Sequence, residues 1–190
     1  MACAGIPAVD GDRISREVVT PGSDCLRELA DEFGGGILNN DGTLNRRLLA
    51  DICFSDADKK RKLDRITHPY IIRVMLAEFE RLKDEGHGVC VVEAPALIES
   101  GLLCYCDKVV LVSADAEKQE ERIISRDGLT EKQAKSRLNA QLTKHDLGGI
   151  ADYEITNNGS MREFEKQLDK LVELIEQWAI QKTKGGRNEG

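Results

Sequence analysis

A chain of 190 residues with 41% hydrophobic and 32% charged residues has room for one hydrophobic core and the surface of an ordinary globular protein. Its 27 basic and 34 acidic side chains leave a net charge of −7, which argues against a broad nucleic-acid footprint but permits a local basic pocket. No apolar run approaches the roughly 20 residues of a membrane span, and residues 1–10 lack a signal-peptide pattern, so the expected location is the cytoplasm. Six cysteines, at positions 3, 25, 53, 90, 104 and 106, include no Cys-x-x-Cys pair and have no histidine beside them. They are expected to be structural thiols rather than metal ligands, and no protein metal site is expected.

In chain order, Ile6–Asp10 is a short candidate strand. A helical region follows over about 23–85, with breaks expected at Gly34-Gly35-Gly36, at Asn39-Asn40-Asp41-Gly42 and at His68-Pro69. At the last of these, proline is expected among the first residues of a helix over 70–85. Gly88–Ala94 is valine-rich and stops at Pro95, as a buried strand would, and Lys108–Ser113 is a second such run. A helical pair over about 116–141 precedes a further strand, Tyr153–Asn157. Near-continuous apolar strands alternating with helices predict an α/β fold, a parallel sheet flanked by helices. Thr130 with Gln133, and Ser160 with Glu163, have the spacing of capping boxes. The last helix places Met161, Phe164, Leu168, Leu171, Ile175 and Trp178 on one apolar stripe for packing on the sheet. The expectation is a single domain over 1–182 followed by a flexible tail, 183–190.

Specific strings carry more than these patterns. In order they are Asp10-Gly11-Asp12 after the first strand, Arg16-Glu17-Val18-Val19 with Pro21-Gly22, Phe33-Gly34, and Asp41-Gly42-Thr43-Leu44-Asn45-Arg46. Ile66-Thr67-His68-Pro69, Glu93 through Leu102, Gln119-x-x-Arg122-x-x-x-Arg126-Asp127-Gly128-Leu129, Arg137-x-x-Ala140-Gln141 and Asn157-Asn158-Gly159-Ser160 complete the series. Together the strings resemble the dephospho-CoA kinase family along almost the whole chain. The resemblance implies a P-loop kinase-like fold, similar to nucleoside-monophosphate kinases. It also implies a helical CoA-binding region over 23–85 and a lid over 116–141. The implied reaction is transfer of the γ-phosphoryl of ATP to the ribose 3′-hydroxyl of dephospho-CoA, the last step of coenzyme A biosynthesis. ATP with Mg2+ is the implied co-substrate, and nucleic acid and membranes are not expected partners.

Carried onto this sequence, the resemblance makes Asp12 the catalytic base, because phosphoryl transfer needs a group to take or orient the hydroxyl proton. An N-cap role for Asp12 stays open beside it, and Asp10 is the weaker candidate base. Arg46, His68, Pro95 and Glu99 are the implied acceptor-binding residues. Arg46 would clamp phosphates or the Asp12 carboxylate through paired N–H groups, and His68 would serve either as ligand contact or as part of a turn. Arg122, Arg126 and Arg137 are the implied lid arginines at the transferring phosphates. Pairing with Glu117, Glu120, Glu121 or Glu131 is the alternative for them. Asn158 and Gly159 are the implied loop near the adenine of ATP.

The sequence departs from the family pattern in one large respect. Family members begin with a strand and a loop Gly-x-x-Gly-x-Gly-Lys-Ser/Thr about twenty residues before Asp-x-Asp. Here Asp-x-Asp falls at 10–12 and no Gly-Lys-Ser or Gly-Lys-Thr occurs among the 190 residues. The expectation is a chain without the first strand and the Walker A loop, with Met1 internal to a longer pattern and a gap in the sheet beside Gly88–Ala94. Without the cradle of backbone N–H groups and lysine, transfer is expected to be nearly abolished. The alternative is then a non-catalytic relative that binds CoA or dephospho-CoA, or a truncated and inactive product. Glu93 also stands where the family has aspartate.

Overall fold

The computed structural model describes residues 5–54, 56–94, 101–139 and 149–185. Its strands are β1 (Ala8–Asp10), β2 (Val91–Glu93), β3 (Val110–Ser113) and β4 (Tyr153–Thr156). All pair in parallel, as their apolar composition predicts, in two separate two-stranded sheets. In the first, Ala8, Val9 and Asp10 face Val91, Val92 and Glu93. In the second, Val110 to Ser113 face Tyr153 to Thr156. Among the described residues nothing pairs with the edge of β2 opposite β1. Each strand is shorter than its apolar run because only residues with a partner in register join a ladder.

The chain divides after Cys104 into two compact units. The first holds β1, α1 (Gly11–Glu17), α2 (Asp24–Phe33), α3 (Arg46–Phe54), α4 (Ala57–Asp84) and β2. A single 3₁₀ turn, Gly35–Ile37, and an Asn39–Thr43 turn separate α2 from α3. The two glycine- and asparagine-rich breaks therefore fall where the sequence places them. Helix α4 packs against α1, α2 and α3, and Val9, Ile14, Leu29, Ile37 and Met75 form the fully buried centre.

The expected break at His68-Pro69 does not exist. Helix α4 runs through it for 28 residues with Pro69 inside. Proline there removes one backbone donor and leaves the Arg65 carbonyl without its usual partner four residues on. Continuity comes from the neighbours. The Asp56 side chain caps the start by accepting from the N–H groups of Asp58 and Lys59, and the Thr67 hydroxyl donates to the Leu63 carbonyl at 2.9 Å.

The second unit holds β3, α5 (Ala116–Asp127), α6 (Glu131–Asn139), β4 and α7 (Met161–Gly185). Both capping boxes form. Gln133 Oε1 accepts from the Thr130 N–H at 3.0 Å while Thr130 Oγ1 accepts from the Gln133 N–H at 3.4 Å. Glu163 and Ser160 do the same at 2.7 and 3.3 Å. The carboxyl of Glu163 is held below its usual range by the backbone N–H and hydroxyl of Ser160. Along α7, which packs on β4, Leu171 and Ile175 are buried, as is Ile155 of β4. Met161 is 71% exposed, so the apolar stripe starts one turn later than its spacing suggests. The helix also continues to Gly185, past the expected start of a tail at 183. No helix among the described residues is long and apolar enough to cross a membrane.

Candidate active site

In the first unit the chain turns from β1 directly into α1. The Asp10 carboxylate accepts the Arg13 N–H at 2.9 Å, so Asp10, not Asp12, is the N-cap. Strand φ/ψ at Asp10 suits that role, and one further residue places Asp12 in the first helical turn. Its backbone carbonyl accepts from the Ser15 hydroxyl at 2.8 Å. The Asp12 side chain lines a cavity of about 340 Å³.

Arg46 reaches the same cavity from the start of α3. The preceding loop is built for this placement. Asp41 Oδ1 accepts the Thr43 N–H at 3.0 Å, a turn made by an aspartate side chain. Asn45 Oδ1 then accepts the Leu48 N–H at 3.0 Å and caps α3. The Arg46 guanidinium donates to the Arg16 carbonyl at 3.3 Å, one long bond that leaves its other N–H groups for a ligand.

His68 lines the cavity from α4, beside Thr67 and Asp64. Burial pushes the imidazole below its ordinary pKa, partly offset by the carboxylate of Asp64. Apart from Ser15 the rest of the wall is apolar, including Leu29, Leu63, Ile71 and Met75. A concave, mostly apolar site with a few polar groups is what a small-molecule pocket requires.

In the second unit Arg122 does not pair with a glutamate. Its guanidinium donates to the Asn157 carbonyl at 2.8 Å and to Asn157 Oδ1 at 3.2 Å. Next in sequence, Asn158 Oδ1 accepts the Asp115 N–H at 2.7 Å. Asn157 and Asn158 thus tie the loop after β4 to α5 and the turn that starts it. Gly159 cannot carry a side chain without displacing Glu163, because a Cβ there would meet that carboxylate. Arg126 is exposed and pairs with Asp127 at 2.7 Å rather than with any of the four glutamates. Arg137 is on α6, but its side chain lies outside the described residues, as do Pro95 and Glu99 altogether.

The family model described as dephospho-CoA kinase matches residues 1–163. The chain belongs to the dephospho-CoA kinase family. It is 38% identical over 174 residues to a dephospho-CoA kinase of Geobacillus kaustophilus, covering 92% of this chain and 85% of the relative. A dephospho-CoA kinase of Listeria innocua is 39% identical over 170 residues, covering 90% and 85%. Among solved structures, a Thermus thermophilus protein aligns with a TM-score of 0.76 at 26% identity, covering 90% of this chain and 85% of that one. A dephospho-CoA kinase from Campylobacter jejuni aligns with a TM-score of 0.66, covering 92% and 87%. The α/β fold with parallel strands agrees with both structures. Membership places the chain among the kinases, transferases of coenzyme A biosynthesis, with ATP as the donor that the family implies.

For a dephospho-CoA kinase, the cavity of the first unit collects three of the residues singled out in the sequence: Asp12, Arg46 and His68. It also adds Ser15, Asp64 and Thr67. For Asp64 and Ser15 the signal was helical spacing: Asp64 lies four residues before His68, and Ser15 three after Asp12. Asp64 was missed because the His-Pro string suggested a break in the helix that in fact carries it to His68. Among the described residues no three His, Cys, Asp or Glu side chains come together as a metal site.

Proposed function

We propose that this chain binds dephospho-CoA in the cavity of its first unit and phosphorylates the ribose 3′-hydroxyl at the expense of ATP, supplied with Mg2+. The observation that carries the reading is the convergence of Asp12, Arg46 and His68 on one cavity with an apolar floor. The Asp12 carboxylate accepts the proton as the 3′-oxygen attacks the γ-phosphorus. The bond to the bridging oxygen breaks and ADP leaves. Arg46, with most of its N–H groups unspent, holds an anionic part of the acceptor. His68 contacts the acceptor from α4, and Pro95 and Glu99 contribute from the segment after β2. Arg122, Arg126 and Arg137 act on the ATP phosphates, and Asn158 with Gly159 forms the loop beside its adenine.

One experiment tests this: calorimetric titration with dephospho-CoA and with MgATP, together with mass detection of coenzyme A formed from both. The proposed function expects dephospho-CoA binding, and a loss of about tenfold in affinity or more for Arg46→Ala, since a hydrogen bond to a charged group contributes about 1.5–3 kcal/mol. Asp12→Asn should leave that affinity nearly unchanged and lower product formation by about 10²-fold or more. Binding without product overturns the transfer step. No dephospho-CoA binding, or binding indifferent to Arg46→Ala, overturns the acceptor site as well.

A further inference from the structure

Three charged or titratable side chains stand in a row on α4: Lys60, Asp64 and His68, each four residues after the last and so on one helical face. Lys60 Nζ lies 2.6 Å from both oxygens of Asp64. Asp64 Oδ1 in turn lies 3.6 Å from Nε2 of His68. Asp64 and His68 both line the cavity, and both are mostly buried, with side-chain exposures of 27% and 23%. The other charged groups at the cavity are Asp12 from α1 and Arg46 from α3.

We propose that Asp64 is a positioning residue of the acceptor site: it fixes the tautomer of His68 so that Nδ1 is offered to the ligand as a hydrogen-bond acceptor. This rests on the reading of the cavity as the dephospho-CoA site. A neutral imidazole carries one N–H and one lone pair, and the partner of one nitrogen decides the role of the other. A carboxylate facing Nε2 favours the proton there. Burial keeps the ring neutral at neutral pH. Nδ1 then needs a donor, and dephospho-CoA supplies donors only as hydroxyl, amide or amino groups. Its phosphates are left to Arg46. Lys60 neutralises Asp64, so the ring is oriented without a net negative charge where an anionic ligand must dock.

The test uses the whole chain at pH 8, with dephospho-CoA titrations and nitrogen NMR of the imidazoles, the His68 signals being assigned by their loss in His68→Gln. The unaltered chain should show the Nε2–H tautomer. Asp64→Asn keeps an oxygen that can face Nε2, so it should retain that tautomer and bind within about threefold of the unaltered chain. Asp64→Leu should lose the tautomer preference and weaken binding by about tenfold, in the range of partners that orient a ligating histidine. His68→Gln should weaken it similarly, and the double variant should be no worse than His68→Gln alone, because both changes remove one contact. Full affinity in Asp64→Leu, additive losses in the double variant, or an Nδ1–H tautomer in the unaltered chain overturns the inference while leaving the acceptor site standing. If the unaltered chain does not bind dephospho-CoA, the acceptor site falls and the inference falls with it.

Discussion

Replacing Gly11 by alanine tests whether the turn from β1 into α1 is as tight as it looks. Gly11 is the first residue of α1. In an open helix the exchange would stabilise by about 1 kcal/mol. Here the new Cβ would lie 3.0 Å from the Glu93 carbonyl oxygen, 3.0 Å from Met75 Cε and 3.2 Å from Ala94 Cβ. The Met75 methyl ends a flexible chain that borders the cavity, so it can give way. The Glu93 carbonyl cannot retreat without disturbing the pairing of Asp10 with Glu93. Overpacking of this kind costs about 1–3 kcal/mol, and the rigid backbone contact puts it at the upper end. Set against the helical gain, the net loss is about 2 kcal/mol. With a urea slope of about 2 kcal/mol/M this lowers the unfolding midpoint by roughly 1 M. Because Asp12 is the next residue, dephospho-CoA turnover or affinity should fall as well. A midpoint equal to or above that of the unaltered chain would refute the reasoning.

Cys25 is fully buried, and burial, reinforced by Glu28, pushes its thiol up to about 11. At pH 8 only about one part in 10³ is thiolate, so alkylation mapped by mass spectrometry should be at least about 100-fold slower in the native chain than in urea. Labelling as fast as that of exposed Cys104 would contradict this. The depressed pKa of His68 means that the unfolded chain takes up this proton first as pH falls. The stability it contributes is present above the unfolded value of about 6.5 and is lost as pH drops through the lower folded value. Urea midpoints between pH 8 and pH 5 should therefore fall less steeply in His68→Gln, and parallel curves would exclude a role for this group. Asp56→Ala removes the cap of α4 and should cost about 1 kcal/mol in the same unfolding assay, while Asp56→Asn should cost much less.

The sequence made the parallel strands legible because valine-rich runs without alternation have few other uses, and it made the capping boxes legible because two side chains three apart satisfy each other. It could not give the strand ends. Gly88–Ala94 contracts to Val91–Glu93 because β1 offers only three partners, a fact about a segment eighty residues away. Met161 has the right spacing for the apolar stripe, yet it is 71% exposed. Val112 of β3 is similarly 57% exposed in an apolar run. Local pattern reports what a residue could bury, not whether a neighbour arrives to cover it.

The Asp-x-Asp string shows how function depends on which residue is already occupied. Sequence alone offers two carboxylates at the end of a strand and no means of dividing the roles between them. The structure divides them by hydrogen bonding. Asp10, still in extended conformation, accepts the Arg13 N–H and completes the helix start. Asp12, two residues on, lies in the first turn of α1 and lines the cavity. It is therefore the Asp10 cap that leaves Asp12 available to the cavity. Removing the cap should loosen α1 at the residue whose carboxylate must meet the hydroxyl. The same logic runs through α4: because Pro69 does not break the helix, four-residue spacing carries the charge of Lys60 through Asp64 to His68. A break at His68-Pro69 would have taken His68 off the helical face that Lys60 and Asp64 share.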